Sequence, residues 1–124
     1  MNDAKWVKLF NILSQKNTLI NKCLMKDVHD DILRQIYIPT AEDFASAFND
    51  KWFNDKGGNQ PYKFKEIEWL EFPSQWEIKR EMRGETLEPI KFQQDIVTIK
   101  NVIEEVWQFE MQFTKEKLII YGYK

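Results

Sequence analysis

Cys23 and His29 are the only thiol and the only imidazole in the chain. A thiolate attacks and a nearby imidazole takes its proton, so this is the one pair that nucleophilic catalysis of that kind could use. On a helix the spacing is wrong. At roughly 100° per residue, six residues set the two side chains about 240° apart. On a strand followed by a turn they could approach. The commoner situation is a small buried cysteine beside Leu24.

His29 precedes Asp30 and Asp31, which together offer one imidazole and two sets of oxygen ligands. A single Cys and a single His cannot build a structural zinc site within one chain. The ordinary meaning of His-Asp-Asp is a solvated surface, and no metal or cofactor is assigned.

Carboxylates pair at Glu66/Glu68, Glu77/Glu81 and Glu104/Glu105. General acid–base work needs one carboxyl shifted by an apolar pocket. Glu68 beside Trp69 is the best candidate, yet strand alternation sends the two to opposite faces, where an outer Glu serves solubility. Gly57-Gly58 lacks the Gly-Lys-Ser/Thr of a phosphate loop and the Gly-x-Gly-x-x-Gly of a dinucleotide site. Lys79, Arg80 and Arg83 alternate with Glu77, Glu81 and Glu85, which points to local ion pairing rather than a phosphate-binding face. No residue is assigned a catalytic role. Glu68 or the Cys23/His29 pair stands as the enzymatic alternative.

Asp27, Asp30 and Asp31 are the densest like-charge group. Asp50 and Asp55 flank Trp52-Phe53. Acidic residues beside aromatics are the make-up of a protein-binding patch, the plain alternative being a solvated surface with Trp52 and Phe53 in the core. The partner-binding residues read from the sequence are therefore Asp27, Asp30, Asp31, Glu66, Glu68 and Trp52.

These residues need elements to position them. Asn2 or Asp3 caps a first helix, with Trp6, Phe10 and Leu13 on one stripe and Asn17-Thr18 at its end. Ile20, Leu24, Val28 and Ile32 fit a helical stripe, but the β-branched residues favour a strand over 20–27, a helical turn over 29–34 and a short strand over 36–38. Thr40 caps a helix carrying Phe44, Ala47 and Phe48. A loop covers 56–61. The stretch 62–72 reads as a strand, with Ile67 and Trp69 on one face and Glu66, Glu68, Leu70 and Phe72 on the other. Residues 75–83 read as one or two helical turns and 84–89 as loop. Ile96, Ile99, Ile103 and Val106 mark an amphipathic helix starting near Gln93. Finally, Trp107, Phe109, Met111 and Phe113 alternate with Gln108, Glu110 and Gln112. They form the first strand of a β-hairpin whose second strand holds Leu118, Ile119, Ile120 and Tyr121.

The chain has 124 residues, enough for one domain that buries roughly two thirds of its unfolded surface. Five Trp, nine Phe and four Tyr, with 31% charged residues, describe a compact globule with a solvated surface. The net charge is −2 and the pI about 5.5, so no nucleic-acid partner is implied. One cysteine gives no internal disulfide. The N-terminus has no apolar signal core, and no run approaches the roughly 20 residues of a membrane span. The expected location is cytoplasmic, with no membrane partner.

Four segments, Trp6, Ile36-Tyr37-Ile38-Pro39-Thr40, Ile67-Glu68-Trp69-Leu70-Glu71-Phe72 and Ile120-Tyr121-Gly122-Tyr123, resemble a family of small uncharacterised bacterial cytoplasmic proteins. That family carries no settled activity, so it implies no catalytic residues. In size, acidity and scarcity of cysteine the chain is also similar to the immunity proteins of bacterial toxin–immunity systems, including contact-dependent growth inhibition. This resemblance implies a non-enzymatic protein that covers a cognate toxin domain. The alternatives are the small enzyme above and an adaptor that self-associates through its aromatic surface. The expected fold is α+β over 1–124: an antiparallel sheet with a C-terminal β-hairpin and helices packed mainly on one face.

Overall fold

The computed structural model describes residues 1–43, 51–53, 62–82 and 84–123. The helix expected after Thr40, the loop over 56–61, Asp50, Asp55 and Arg83 lie outside the described residues. The chain is a small α+β domain whose strand pairs are antiparallel.

Helix α1 spans Asp3–Gln15. The Asn2 side chain accepts the Lys5 N–H at 2.9 Å, which satisfies one of the free donors of the first turn. Trp6, Leu9, Phe10 and Leu13 form its buried stripe. They meet a cluster of rings: Phe10 lies 4.4 Å from Phe53 and 5.8 Å from Phe64, centroid to centroid. Phe53 comes from β3 (Trp52–Phe53), which pairs with β4 (Tyr62–Lys63).

A five-stranded sheet follows, in the order β2-β1-β5-β9-β8. Its strands are β1 (Cys23–Asp27), β2 (Leu33–Ile36), β5 (Ile67–Pro73), β8 (Met111–Phe113) and β9 (Lys117–Tyr121). Met25, Leu70, Ile120 and Met111 stand in one cross-strand row. The first three are buried and Met111 packs against the core from its margin. Lys26, Trp69 and Tyr121 form a row on the opposite face.

Three expectations change here. Residues 29–34 are not a helical turn, because Leu33–Ile36 is a strand and residues 37–40 lie outside any regular element. The cause is aspartate chemistry. Asp27 Oδ1 accepts the His29 N–H at 2.7 Å and Asp30 Oδ1 accepts the Ile32 N–H at 3.0 Å. Such bonds compete with a helix and build a turn instead. The strand expected over 62–72 is interrupted by a 3-10 turn at Phe64–Glu66. Beyond it, Lys26 faces Trp69 while Asp27 faces Ile67. Glu68 is therefore the extra residue of a β-bulge, and the faces exchange there. Ile67 joins Leu70 and Phe72 in the core, and Trp69 goes to the other face.

The stretch read as helical turns and loop is a two-stranded ribbon, β6 (Gln75–Met82) with β7 (Glu85–Gln93), turning at Gly84 with φ +80°. Trp76 stacks on Phe92 at 5.8 Å, and Ile78 opposes Ile90. Pro89 sits where the register shifts, a position that tolerates a missing N–H. Gln94 anchors the base of the ribbon. Its oxygen accepts the Asn21 and Lys22 N–H groups at 2.9 and 3.1 Å, and its amide donates to the Lys22 and Pro73 carbonyls at 2.9 and 2.7 Å.

Helix α2 spans Ile96–Glu104, begins later than Gln93, and buries Ile96, Ile99 and Ile103. Asp95 caps it. Hydrogen bonds from the Thr98 hydroxyl and then the Thr98 N–H hold this carboxyl below its ordinary range. α2 meets both α1 and β9.

The strand expected from Trp107 onward covers only Met111–Phe113, paired with Leu118–Ile120. Phe109 is buried, but Trp107 and Phe113 are exposed at 44% and 42%. Trp107 lies on the surface beneath the ammonium groups of Lys8 and Lys5, 4.4 and 5.8 Å from its ring, and Lys100 stands over Phe113. Long cationic side chains cover such exposed rings.

Candidate protein-binding edge

The turn between β1 and β2 brings most of the sequence-predicted acids to one end of the sheet, but gives them different tasks. Asp27 is 7% exposed and spends one oxygen on the turn. Asp30 holds the Ile32 N–H and pairs with Arg34 at 2.6 Å. Asp30 is therefore compensated by a cation, and Asp27 is buried at the turn. The Asp31 side chain is fully exposed.

Glu68 reaches the same place from β5. The bulge brings its Oε2 to 2.7 Å from Lys26 Nζ. Lys26 also donates to the Asp27 carbonyl at 2.9 Å, lies 3.9 Å from Asp31 and stands 5.4 Å from the Trp69 ring. The hydrogen bond to Glu68 raises the Lys26 pKa; burial opposes this, and the charges of Glu68, Asp31 and Asp30 add to it. Glu66 lies in the preceding 3-10 turn, and its carbonyl accepts the Val28 N–H at 2.9 Å. The alternation that was to put Glu66 and Glu68 on one strand face therefore fails. Trp52 belongs to the separate β3–β4 ribbon, opposite Lys63.

Apolar side chains complete the edge. Val28, Ile32 and Leu33 are exposed at 40%, 61% and 40% beside Asp30 and Asp31. A helical reading of 20–36 buries Val28 and Ile32. The turn exposes them. Sequence reasoning also passed over Lys26 and Arg34, the two cations that compensate the acids. The signal available for Arg34 was its i,i+4 spacing from Asp30.

The geometry separates the groups considered for catalysis. Cys23 and Asp27 end a strand whose four steps span about 13 Å, and His29 lies beyond it, exposed, while Cys23 is 1% exposed. Burial pushes the Cys23 thiol far up, with the charge of Glu71 adding to it. The approach that a strand and turn allowed does not occur. Glu68 is engaged by Lys26 rather than lodged in an apolar pocket. Among the described residues no three His, Cys, Asp or Glu side chains gather as a metal site. A cleft of about 590 Å³ is lined by Met1, Lys5, Gln108, Phe109, Glu110, Tyr121 and Gly122, and contains neither Cys23, His29 nor Glu68. No helix among the described residues is long and apolar enough to cross a membrane.

The whole chain, residues 1–124, matches the model of a family of unknown function, DUF6678, and belongs to that family. No curated protein and no solved structure matches it.

Proposed function

We propose that this chain is a non-enzymatic protein-binding domain that neutralises a cognate bacterial toxin domain by covering it. The observation that carries the reading is the β1–β2 turn, where Val28, Ile32 and Leu33 are exposed around the fully exposed carboxylate of Asp31. Apolar anchors supply the lifetime of a complex, and carboxylates at their rim supply steering toward a basic partner. Trp69 and Glu68 form the adjoining surface over the buried Lys26, and Glu66 borders it. Small size and mild acidity suit a cytoplasmic inhibitor of the contact-dependent growth inhibition type, working in the bacterium that makes the toxin. In the same reading both helices cover one face of the five-stranded sheet, β8 and β9 form a C-terminal hairpin, and the turn projects from the opposite end of strand β1 to Cys23.

Co-expression with the product of the adjacent upstream gene tests this. The pair should co-purify, and the chain should restore growth. Ile32→Ala should speed dissociation about tenfold, the loss of roughly 1.4 kcal/mol. Asp31→Lys should slow association and flatten its salt dependence. Absence of both complex and rescue would reject the proposal.

A further inference from the structure

We infer that the free edge of β6 is a docking site for a second copy of this chain, the two β6 strands running antiparallel with Ile78 on the two-fold axis.

The β6–β7 ribbon is a separate two-stranded sheet, so among the described residues each strand has one unpaired edge. The two edges are built differently. Between the pairs Ile78↔Ile90 and Arg80↔Leu87, β7 carries one extra residue, and Pro89 lies within that bulge. A bulge and a proline are the devices that block pairing along an edge. β6 has neither. Among the described residues no strand pairs with its outer edge between Gln75 and Met82.

The side chains define the partner. Trp76, Ile78, Ile90 and Phe92 share one face of the ribbon, and Ile78, Ile90 and Phe92 are exposed at 50%, 39% and 39%. A two-stranded ribbon is marginal in water, whereas four strands with one apolar face are not. Joining two ribbons through β6 merges the two apolar faces into one.

Charge then selects the register. With Ile78 opposite itself, Glu77 of each copy faces Lys79 of the other, twice by symmetry. Centring the pair on Glu77 sets two carboxylates together, and centring it on Lys79 sets two ammonium groups together. A half-step shift would oppose the apolar face of one copy to the charged face of the other. Within the chain neither Glu77 nor Lys79 makes an ion pair among the described residues. Only the Ile78-centred register therefore satisfies both the charges and the faces.

Sedimentation equilibrium on the full chain, over a concentration series, tests the inference. A monomer–dimer equilibrium of the 15.0 kDa chain is expected. Glu77→Lys or Lys79→Glu alone should weaken the dimer about tenfold or more, because each change acts twice. The double exchange should restore it to within about threefold of the wild type. Ile78→Asp should abolish it while circular dichroism and the melting curve show an intact fold, since the side chain is exposed. A chain that stays monomeric throughout overturns the inference. So does a dimer that the double exchange does not rescue.

Discussion

Lys26 Nζ lies 2.7 Å from Glu68 Oε2, and the contact exists because a β-bulge displaces Glu68 from the alternation of β5. The two residues are 42 positions apart. The pair ties the acidic turn to the centre of the sheet and keeps a cation beneath Trp69.

This pair predicts an alkaline dependence. The Lys26 ammonium is held above its ordinary value. A raised lysine pKa gives stability that is complete below the unfolded value, about 10.4. That stability is lost as pH rises through the higher folded value. The melting-temperature gap between wild type and Glu68→Gln should be constant near pH 8 and close above about pH 10.5. A gap that persists at the highest pH would show that the ion pair does not contribute.

Gly122 packs where no side chain fits. A Cβ there would stand 2.4 Å from the Ile67 carbonyl oxygen and 2.8 Å from Trp6 Cζ2, while the Gly122 N–H donates to the Glu68 carbonyl at 2.8 Å. Gly122→Ala should destabilise by about 2–3 kcal/mol through displaced backbone and a shifted indole. Urea unfolding measures it, and a change below about 0.5 kcal/mol would contradict the close approach.

Gln94 has its oxygen and its amide nitrogen each engaged by two backbone groups at the ribbon's base. Gln94→Ala leaves those groups without their partner and should cost about 2–3 kcal/mol. Gln94→Glu removes the two donors and should cost a similar amount. Hydrogen exchange at Asn21 and Lys22 should quicken in both variants, and unchanged protection there would refute the anchoring role.

Phe109, Trp107 and Phe113 separate by burial although they share one alternating pattern. Phe109→Ala should cost about 3 kcal/mol, since the ring is 8% exposed. Trp107→Ala and Phe113→Ala should each cost less than about 1 kcal/mol. Equal losses at all three sites would restore the strand reading for Trp107 onward.

Cys23 should be inert. Its thiol is buried, its pKa is pushed up, and His29 lies past the far end of β1. A thiol reagent should label it only on unfolding, with no reaction in the native state. Fast native labelling would reopen the nucleophile reading.

The sequence by itself determined the features whose cause is local. α1 follows from the Asn2 cap and the Trp6, Leu9, Phe10, Leu13 stripe, and α2 from Ile96, Ile99 and Ile103. In both, the residues that set the period also form the element. β1 was legible from the β-branched Ile20 and Val28 that flank it, and the run Leu118–Ile120 from its own β-branched and apolar content. The tertiary structure decided the rest, because the cause lies in a partner distant along the chain. Glu77, Lys79 and Arg80 look like a charged helical turn until β7 supplies Phe92 and Ile90 opposite Trp76 and Ile78. Ile67 and Trp69 share a strand face by counting, and a bulge set by pairing with β1 parts them. Val28 and Ile32 fit a buried helical stripe, yet Asp27 and Asp30 close a turn that leaves both in water. The candidate edge was therefore visible as a cluster of acids. Which acids are free, and that apolar side chains stand among them, was not visible, because a period reports the faces of one element and says nothing of what covers them.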